Sequence, residues 1–198
     1  MKKYEEQKFN IPELKGISNK AIEEHLKLYA GYVKHTNLIL EKIEELSKDP
    51  AGNAYAIGEI QRRFGFEFGG MRNHEYYFRA LEGGVRPLSK NSSFRKVAAN
   101  EWGSFENWFQ KFKALALTRG IGWAILYYDP LADRLLNTWV DEQHMGHLVG
   151  LCPILALDMF EHAYMIDYVP GDKKKYVDAY LENLNWDKIE ENYKNSTS

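Results

Sequence analysis

A single cysteine, Cys152, stands in a chain of 198 residues. One thiol forms no intrachain disulfide, and it excludes a zinc site built from cysteines. An excess of either charge is missing too. Lysine and arginine number 26 against 28 aspartates and glutamates, a formal net charge of -2. That balance gives no basic footprint for nucleic acid, so no nucleic-acid partner is expected. No apolar run approaches the roughly 18 residues of a membrane span, and no membrane partner is expected. The segment Met1-Lys2-Lys3-Tyr4-Glu5-Glu6-Gln7 lacks the apolar core of a secretory signal. A cytoplasmic location is the corresponding expectation.

What is present is ordinary for a soluble globular protein: 44% hydrophobic and 27% charged residues. The length suffices for one sizeable domain or two small ones sharing an interface. Aromatic residues make up 14%, with five Trp and thirteen Tyr. They suit a dry, aromatic-lined pocket or interface, and equally a core of large side chains.

Periodicity divides the chain. Residues 8–16 read as an extended lead-in, and Ser18 as the N-cap of a helix from Asn19 to Leu46. Its apolar positions include Ile22, Leu26, Tyr29, Val33, Leu40 and Ile43. A second helix is expected over Ala54 to Phe64, a break at Gly69-Gly70, and a third helix from Met71 to Phe78. Gly83-Gly84-Val85-Arg86-Pro87-Leu88 carries turn chemistry and marks the boundary between residues 1–84 and residues 91–198. Ser92 and Ser104 begin two further helices, the second with an apolar face of Phe105, Trp108, Phe109 and Phe112. Strands are expected over Gly120 to Tyr128, Leu135 to Val140 and Gly150 to Leu157, the last holding Cys152 as a buried thiol. Short connections between them imply an antiparallel three-stranded sheet. From Asp172 the chain is helical and charged, and Asn192 to Ser198 are expected to fray. The fold class is α+β: an N-terminal antiparallel helical hairpin, then a C-terminal domain with the sheet and flanking helices.

The chemistry concentrates where the third strand ends, in Asp158-Met159-Phe160-Glu161-His162-Ala163-Tyr164. A carboxylate leaves the core, and an imidazole follows four residues later, where a helix can begin. Both are good ligands for manganese, iron or zinc. The same residue types also serve as caps and packing groups at helix starts, so spacing leaves both roles open. In the first helix, His25 and Tyr32 are seven residues apart and share a face.

The full string resembles the Asp-x-Phe/Trp-Glu-His-Ala-Tyr signature of the iron/manganese superoxide dismutases. Three other stretches resemble that family in the same order. His25 and Tyr32-Val33 are similar to its His-His-x-x-His-x-x-x-Tyr-Val motif, with one residue fewer between His and Tyr and with Leu26 and Tyr29 in place of two histidines. The shorter spacing is that of a plain α-helix from which a π-bulge has been removed. Asn73-His74, followed by Tyr77-Phe78, resembles Asn-His-x-x-Phe-Trp. Gly120-Ile121-Gly122-Trp123 resembles Gly-x-Gly-Trp, with Trp123 covering the metal pocket.

The resemblance implies an oxidoreductase that converts superoxide to oxygen and hydrogen peroxide with one manganese or iron ion per subunit. It implies His25, His74, Asp158 and His162 as ligands, Tyr32 at the mouth of the substrate channel, and Tyr77 and Phe78 in the pocket wall. Gln143 becomes the residue that hydrogen-bonds metal-bound solvent, because Gly70, the alternative position, has no donor. His144 and His147 are its neighbours and alternatives. That arrangement and the intermediate Ala156 favour manganese, with iron as the alternative. The resemblance also implies a homodimer through Glu161, His162 and Tyr164, with a tetramer left open. A non-catalytic metal-binding relative of the same fold is the competing reading.

Overall fold

The computed structural model describes residues 2–197. Helix α1 spans Asn19–Leu46, and the Ser18 hydroxyl accepts the Ala21 N–H at its start. Its buried residues are Ala21, Ile22, His25, Tyr29, Val33 and Thr36, which from Ile22 on recur every three or four positions. That is one stripe of a regular helix, so His25 lies within the apolar face itself.

Helix α2 runs unbroken over Ala54–Arg79. The break expected at Gly69-Gly70 is absent, and one helix replaces the two. These glycines answer a tertiary demand. A Cβ on Gly69 would lie 2.1 Å from the Gln143 carbonyl oxygen, and one on Gly70 would lie 2.5 Å from Cδ1 of Tyr32. Only a bare backbone lets α1 and the loop after the second strand approach so closely.

Gly83 and Gly84, at φ of +75° and +79°, turn the chain out of the hairpin. The Gly83 N–H donates to the Asn10 carbonyl, and the Asn185 N–H to that of Ala80. The lead-in and the C-terminal segment thus close on the same turn. Helices α3 (Ser93–Trp102) and α4 (Phe105–Ala116) are capped by Ser92 and Ser104. Trp108, Phe112 and Ala116 are the buried residues of α4, while Phe105 and Phe109 are partly exposed.

Three antiparallel strands follow: β1 (Gly122–Asp129), β2 (Arg134–Asp141) and β3 (Cys152–Asp158), in the spatial order β2-β1-β3. The central strand is buried from Gly122 to Tyr128. Its continuous apolar run matches coverage of both faces rather than alternation. The register sets Trp123 opposite Asp158 on one side and Val140 on the other. Cys152 is half-buried, not fully buried as expected, because it lies at the open end of β3.

A single 3₁₀ turn, Glu161–Ala163, follows β3 where a helix was expected to begin. Helices α5 (Lys173–Glu182) and α6 (Trp186–Ser196) complete the chain. The fraying expected from Asn192 does not occur through Ser196. The Asn192 amide donates to the Ile154 carbonyl at 3.0 Å, and the Tyr193 ring packs against Tyr128 and Phe94. Ser198 lies outside the described residues.

Candidate metal centre

Four side chains able to bind a metal, from α1, α2, the end of β3 and the 3₁₀ turn, meet in the core. One ligand atom each from His25, His74, Asp158 and His162 lies within 4.8 Å of the others. His25, His74 and Asp158 are buried, and His162 is partly exposed. The Nε2 atoms of His25 and His162 both sit 3.0 Å from Asp158 Oδ2. The other carboxylate oxygen, Oδ1, accepts the Phe160 N–H at 2.8 Å. That bond fixes the carboxylate so that Oδ2 faces the histidines.

His74 is the most informative member of the cluster. Its Nδ1 is 2.6 Å from the Gly70 carbonyl. A carbonyl only accepts, so Nδ1 carries the proton and Nε2 presents a lone pair. That Nε2 is buried with no hydrogen-bond partner among the described residues, 3.6 Å from Asp158 Oδ2. A lone pair directed at a carboxylate oxygen in a dry site is repulsive unless a cation lies between them. Three imidazole nitrogens and one carboxylate oxygen at 2.0–2.2 Å from a common ion would be at most about 4.4 Å apart. The observed spread closes around one ion with little movement.

The electrostatics agree. Burial pushes His74 down to about 3, helped by His25, and burial also lowers His25 despite its bond to Asp158. Burial acts against the Asp158 carboxylate, but the charge and hydrogen bond of His162 and the bond from His25 outweigh it and hold its pKa well below the usual range. Burial also pushes His162 down, but the Asp158 carboxylate prevails and raises it. A cation bound here would compete with a proton for the His162 imidazole, the usual exchange of protons for metal.

Aromatic rings wall the site. Tyr77 and Phe78 lie 4.8 and 5.0 Å from the His25 ring, and Trp123 lies 5.0 Å from His74 edge-on. Tyr32 lies 5.0 Å from His74. Burial, then Asp158 and Glu67, push its hydroxyl up to about 12, and a bond from Gln143 moderates the shift. Gln143 is fully buried. Its Nε2 donates to the Tyr32 hydroxyl at 3.0 Å, and its Oε1 accepts the Trp123 indole N–H at 2.9 Å. α1 is a plain α-helix here, and the seven-residue spacing puts His25 and Tyr32 on the same side of the cluster.

Several supporting residues were not foreseen. The Tyr176 hydroxyl donates to the Asp158 carbonyl at 2.9 Å, and that of Tyr180 to Ala156 at 3.0 Å. Asn73 and His147 hold the Gln143 carbonyl, each at 3.2 Å. Tyr29, in the place of a family histidine, donates to Glu75 at 3.2 Å and accepts the Gln7 N–H at 2.9 Å. Local pattern carries no signal for most of these contacts, which join residues up to 70 positions apart.

Comparison with known proteins agrees with this geometry. Residues 90–192 match the family described as iron/manganese superoxide dismutases, C-terminal domain. The chain is 36% identical over 177 residues to the Fe-designated superoxide dismutase of Cupriavidus metallidurans, covering 87% of this chain and 86% of that one. It is 32% identical over 185 residues to the Fe-designated enzyme of Aquifex aeolicus, covering 91% and 85%. With the Mn-designated enzyme of Mycolicibacterium fortuitum it shares 33% over 177 residues, covering 88% and 83%. Fold, ligand cluster and relatives agree: the chain belongs to the iron/manganese superoxide dismutase family.

Proposed function

We propose that this chain dismutates superoxide, turning two superoxide ions and two protons into one oxygen and one hydrogen peroxide, with one manganese or iron ion held by His25, His74, Asp158 and His162. The carrying observation is the orphaned, buried His74 Nε2 facing Asp158 Oδ2. Bound there, the ion supplies one-electron chemistry by passing between its +2 and +3 states, which zinc cannot do. The protein's part is to hold charge and protons. One carboxylate and three neutral imidazoles leave a divalent ion a net charge of about +1, which only small anions of superoxide's kind would meet in a dry pocket. Tyr32 stays protonated across the neutral range and serves as the last proton donor before the pocket. The Gln143 amide has two N–H groups. Tyr32 takes one, and the second is left to orient solvent at the centre.

Manganese is the favoured ion. Gly70 offers no donor, so solvent is oriented from Gln143 alone, and Ala156 lies in β3 two residues before Asp158. Metal analysis and superoxide consumption on one sample test the whole reading. Dismutation that follows manganese or iron content is expected. A fully loaded yet inactive protein would favour the non-catalytic relative instead.

The working unit in this reading is a homodimer at least. The Glu161 carboxylate is exposed and makes no hydrogen bond or ion pair among the described residues, so it does not cap its own turn. Beside it, Leu28, Met165 and Ile166 are 41%, 49% and 41% exposed and share a groove with His162. A two-fold contact there would pair Glu161 of each copy with the other's His162 and cover these apolar groups. Sedimentation of wild type and Glu161→Ala tests it: dimer for the first, a shift toward monomer with loss of metal for the second. An active wild-type monomer refutes it.

A further inference from the structure

Gln143 lies in the connection between β2 and β3, just after Glu142, whose φ of +49° is unusual for a non-glycine residue. A strained connection does not by itself seat a side chain accurately. The backbone of Gln143 is nonetheless clamped. Its carbonyl oxygen rests on the bare Gly69 backbone and accepts from Asn73 Nδ2 and His147 Nε2, both at 3.2 Å. Because a carbonyl only accepts, His147 Nε2 must carry a proton. In the neutral imidazole, Nδ1 is then an acceptor. The Tyr127 hydroxyl, on central strand β1, donates to it. Burial of His147 favours that neutral form. Asn73 therefore ties Gln143 to α2, and the His147–Tyr127 pair ties it to the sheet.

We infer that His147, fixed in one tautomer by Tyr127, is a positioning residue for the Gln143 side chain: it sets where that amide presents its free N–H to the metal centre. The inference rests on the reading that Gln143 serves that centre. Among the described residues His147 makes no hydrogen bond, ion pair or ring contact with the ligand cluster or Tyr32, so it acts through Gln143. The sequence places His147 within reach of the site as an alternative solvent partner, and the geometry gives it this different task.

The Trp123 indole N–H, donated to Gln143 Oε1, reports the seat of the amide without any catalysis. It can be followed by NMR in zinc-loaded protein, since zinc is redox-silent. His147→Leu is expected to move this resonance toward that of a free indole and to speed its exchange with water about tenfold, the effect of losing one buried hydrogen bond. His147→Gln, which restores a neutral donor, should return it most of the way. An unchanged resonance in His147→Leu overturns the inference. If that variant does not fold, Tyr127→Phe decides, since it removes one hydroxyl: a smaller shift in the same direction is expected, and none overturns it. In manganese-loaded protein, His147→Leu should move the midpoint potential in the direction of Gln143→Ala and add nothing in the Gln143→Ala background. Additive shifts refute action through Gln143. If Gln143→Ala itself leaves the potential unchanged, the role of Gln143 fails, while the Trp123 signal still judges His147.

Discussion

Gly70→Ala should destabilise the protein and unseat Tyr32, although alanine is the better helix former. Gly70 lies within α2, where replacing glycine by alanine ordinarily gains about 1 kcal/mol. Here the new Cβ would sit 2.5, 2.6 and 2.9 Å from Cδ1, Cε1 and Cγ of Tyr32. Carbon pairs rest at about 3.5–4.0 Å, so the ring must withdraw by roughly 1 Å. Phe66 and His74 pack against it, which makes withdrawal costly. Overpacking of this kind costs about 1–3 kcal/mol. A ring displaced by that much also stretches the 3.0 Å bond from Gln143 to its hydroxyl, a loss of about 1 kcal/mol. The net expectation is about 1–3 kcal/mol of destabilisation, with slower proton delivery at full metal occupancy. Gly58, in the same helix with open space around it, is the internal control: Gly58→Ala should stabilise by roughly 0.5–1 kcal/mol. Urea unfolding of the two variants, at equal metal loading, measures the difference. If Gly70→Ala is as stable as Gly58→Ala, the close approach of α1 and α2 is not what the glycine serves.

Asp158→Asn should abolish retention of manganese or iron at micromolar metal while leaving a folded protein, because it removes the only anionic donor of the cluster; metal analysis after dialysis measures it, and full retention would refute the assignment. Metal-free protein should lose stability as pH falls from about 6.5 toward 3. His74 is held down to about 3 in the fold against an ordinary value near 6.5, so across that window the unfolded chain binds the extra proton and acid favours it; His25 adds to the effect and His162, shifted upward, opposes it. Urea midpoints at several pH values give the slope, and a flat profile would contradict the buried, neutral His74. Tyr193→Ala should cost about 3–5 kcal/mol, the range for a buried aromatic, since its ring joins α6 to Phe94 and Tyr128; a loss below about 1 kcal/mol would mean that the C-terminal turn is frayed after all.

What the sequence revealed followed the range of the forces involved. α1, its Ser18 cap and the three strands come from periodicity and capping, which act within a turn or two, and their bounds agree within about two residues. The errors fell where a distant partner overrode local preference. Gly69 and Gly70 read as a helix stop because glycine is a poor helix residue, yet the Gln143 carbonyl and the Tyr32 ring require bare backbone there. Asn192 reads as a fraying end because no local feature anticipates its bond to the Ile154 carbonyl, 38 positions away.

The cluster of His25, His74, Asp158 and His162 was legible for a different reason: the resemblance to the iron/manganese superoxide dismutases implied it residue by residue, while spacing alone left capping and packing roles open. Three of the four also stand in unusual surroundings: His25 interrupts an apolar stripe, His74 precedes an aromatic run, and Asp158 ends a buried strand. Burying polar groups costs several kcal/mol unless they are partnered, so such residues need partners in the fold, but the pattern does not name them. Tyr29 shows the limit of that logic. It too is a polar-tipped side chain in the stripe, but it satisfies itself with Glu75 and the Gln7 N–H, away from the metal donors. Tyr29 thus presents this helix face to the N-terminal lead-in and holds that segment. His25 and Tyr32, on either side of Tyr29, keep their direction because α1 is regular there. With Leu26 and Tyr29 standing where the resemblance places two histidines, the regular helix still keeps His25 and Tyr32 two turns apart on one face.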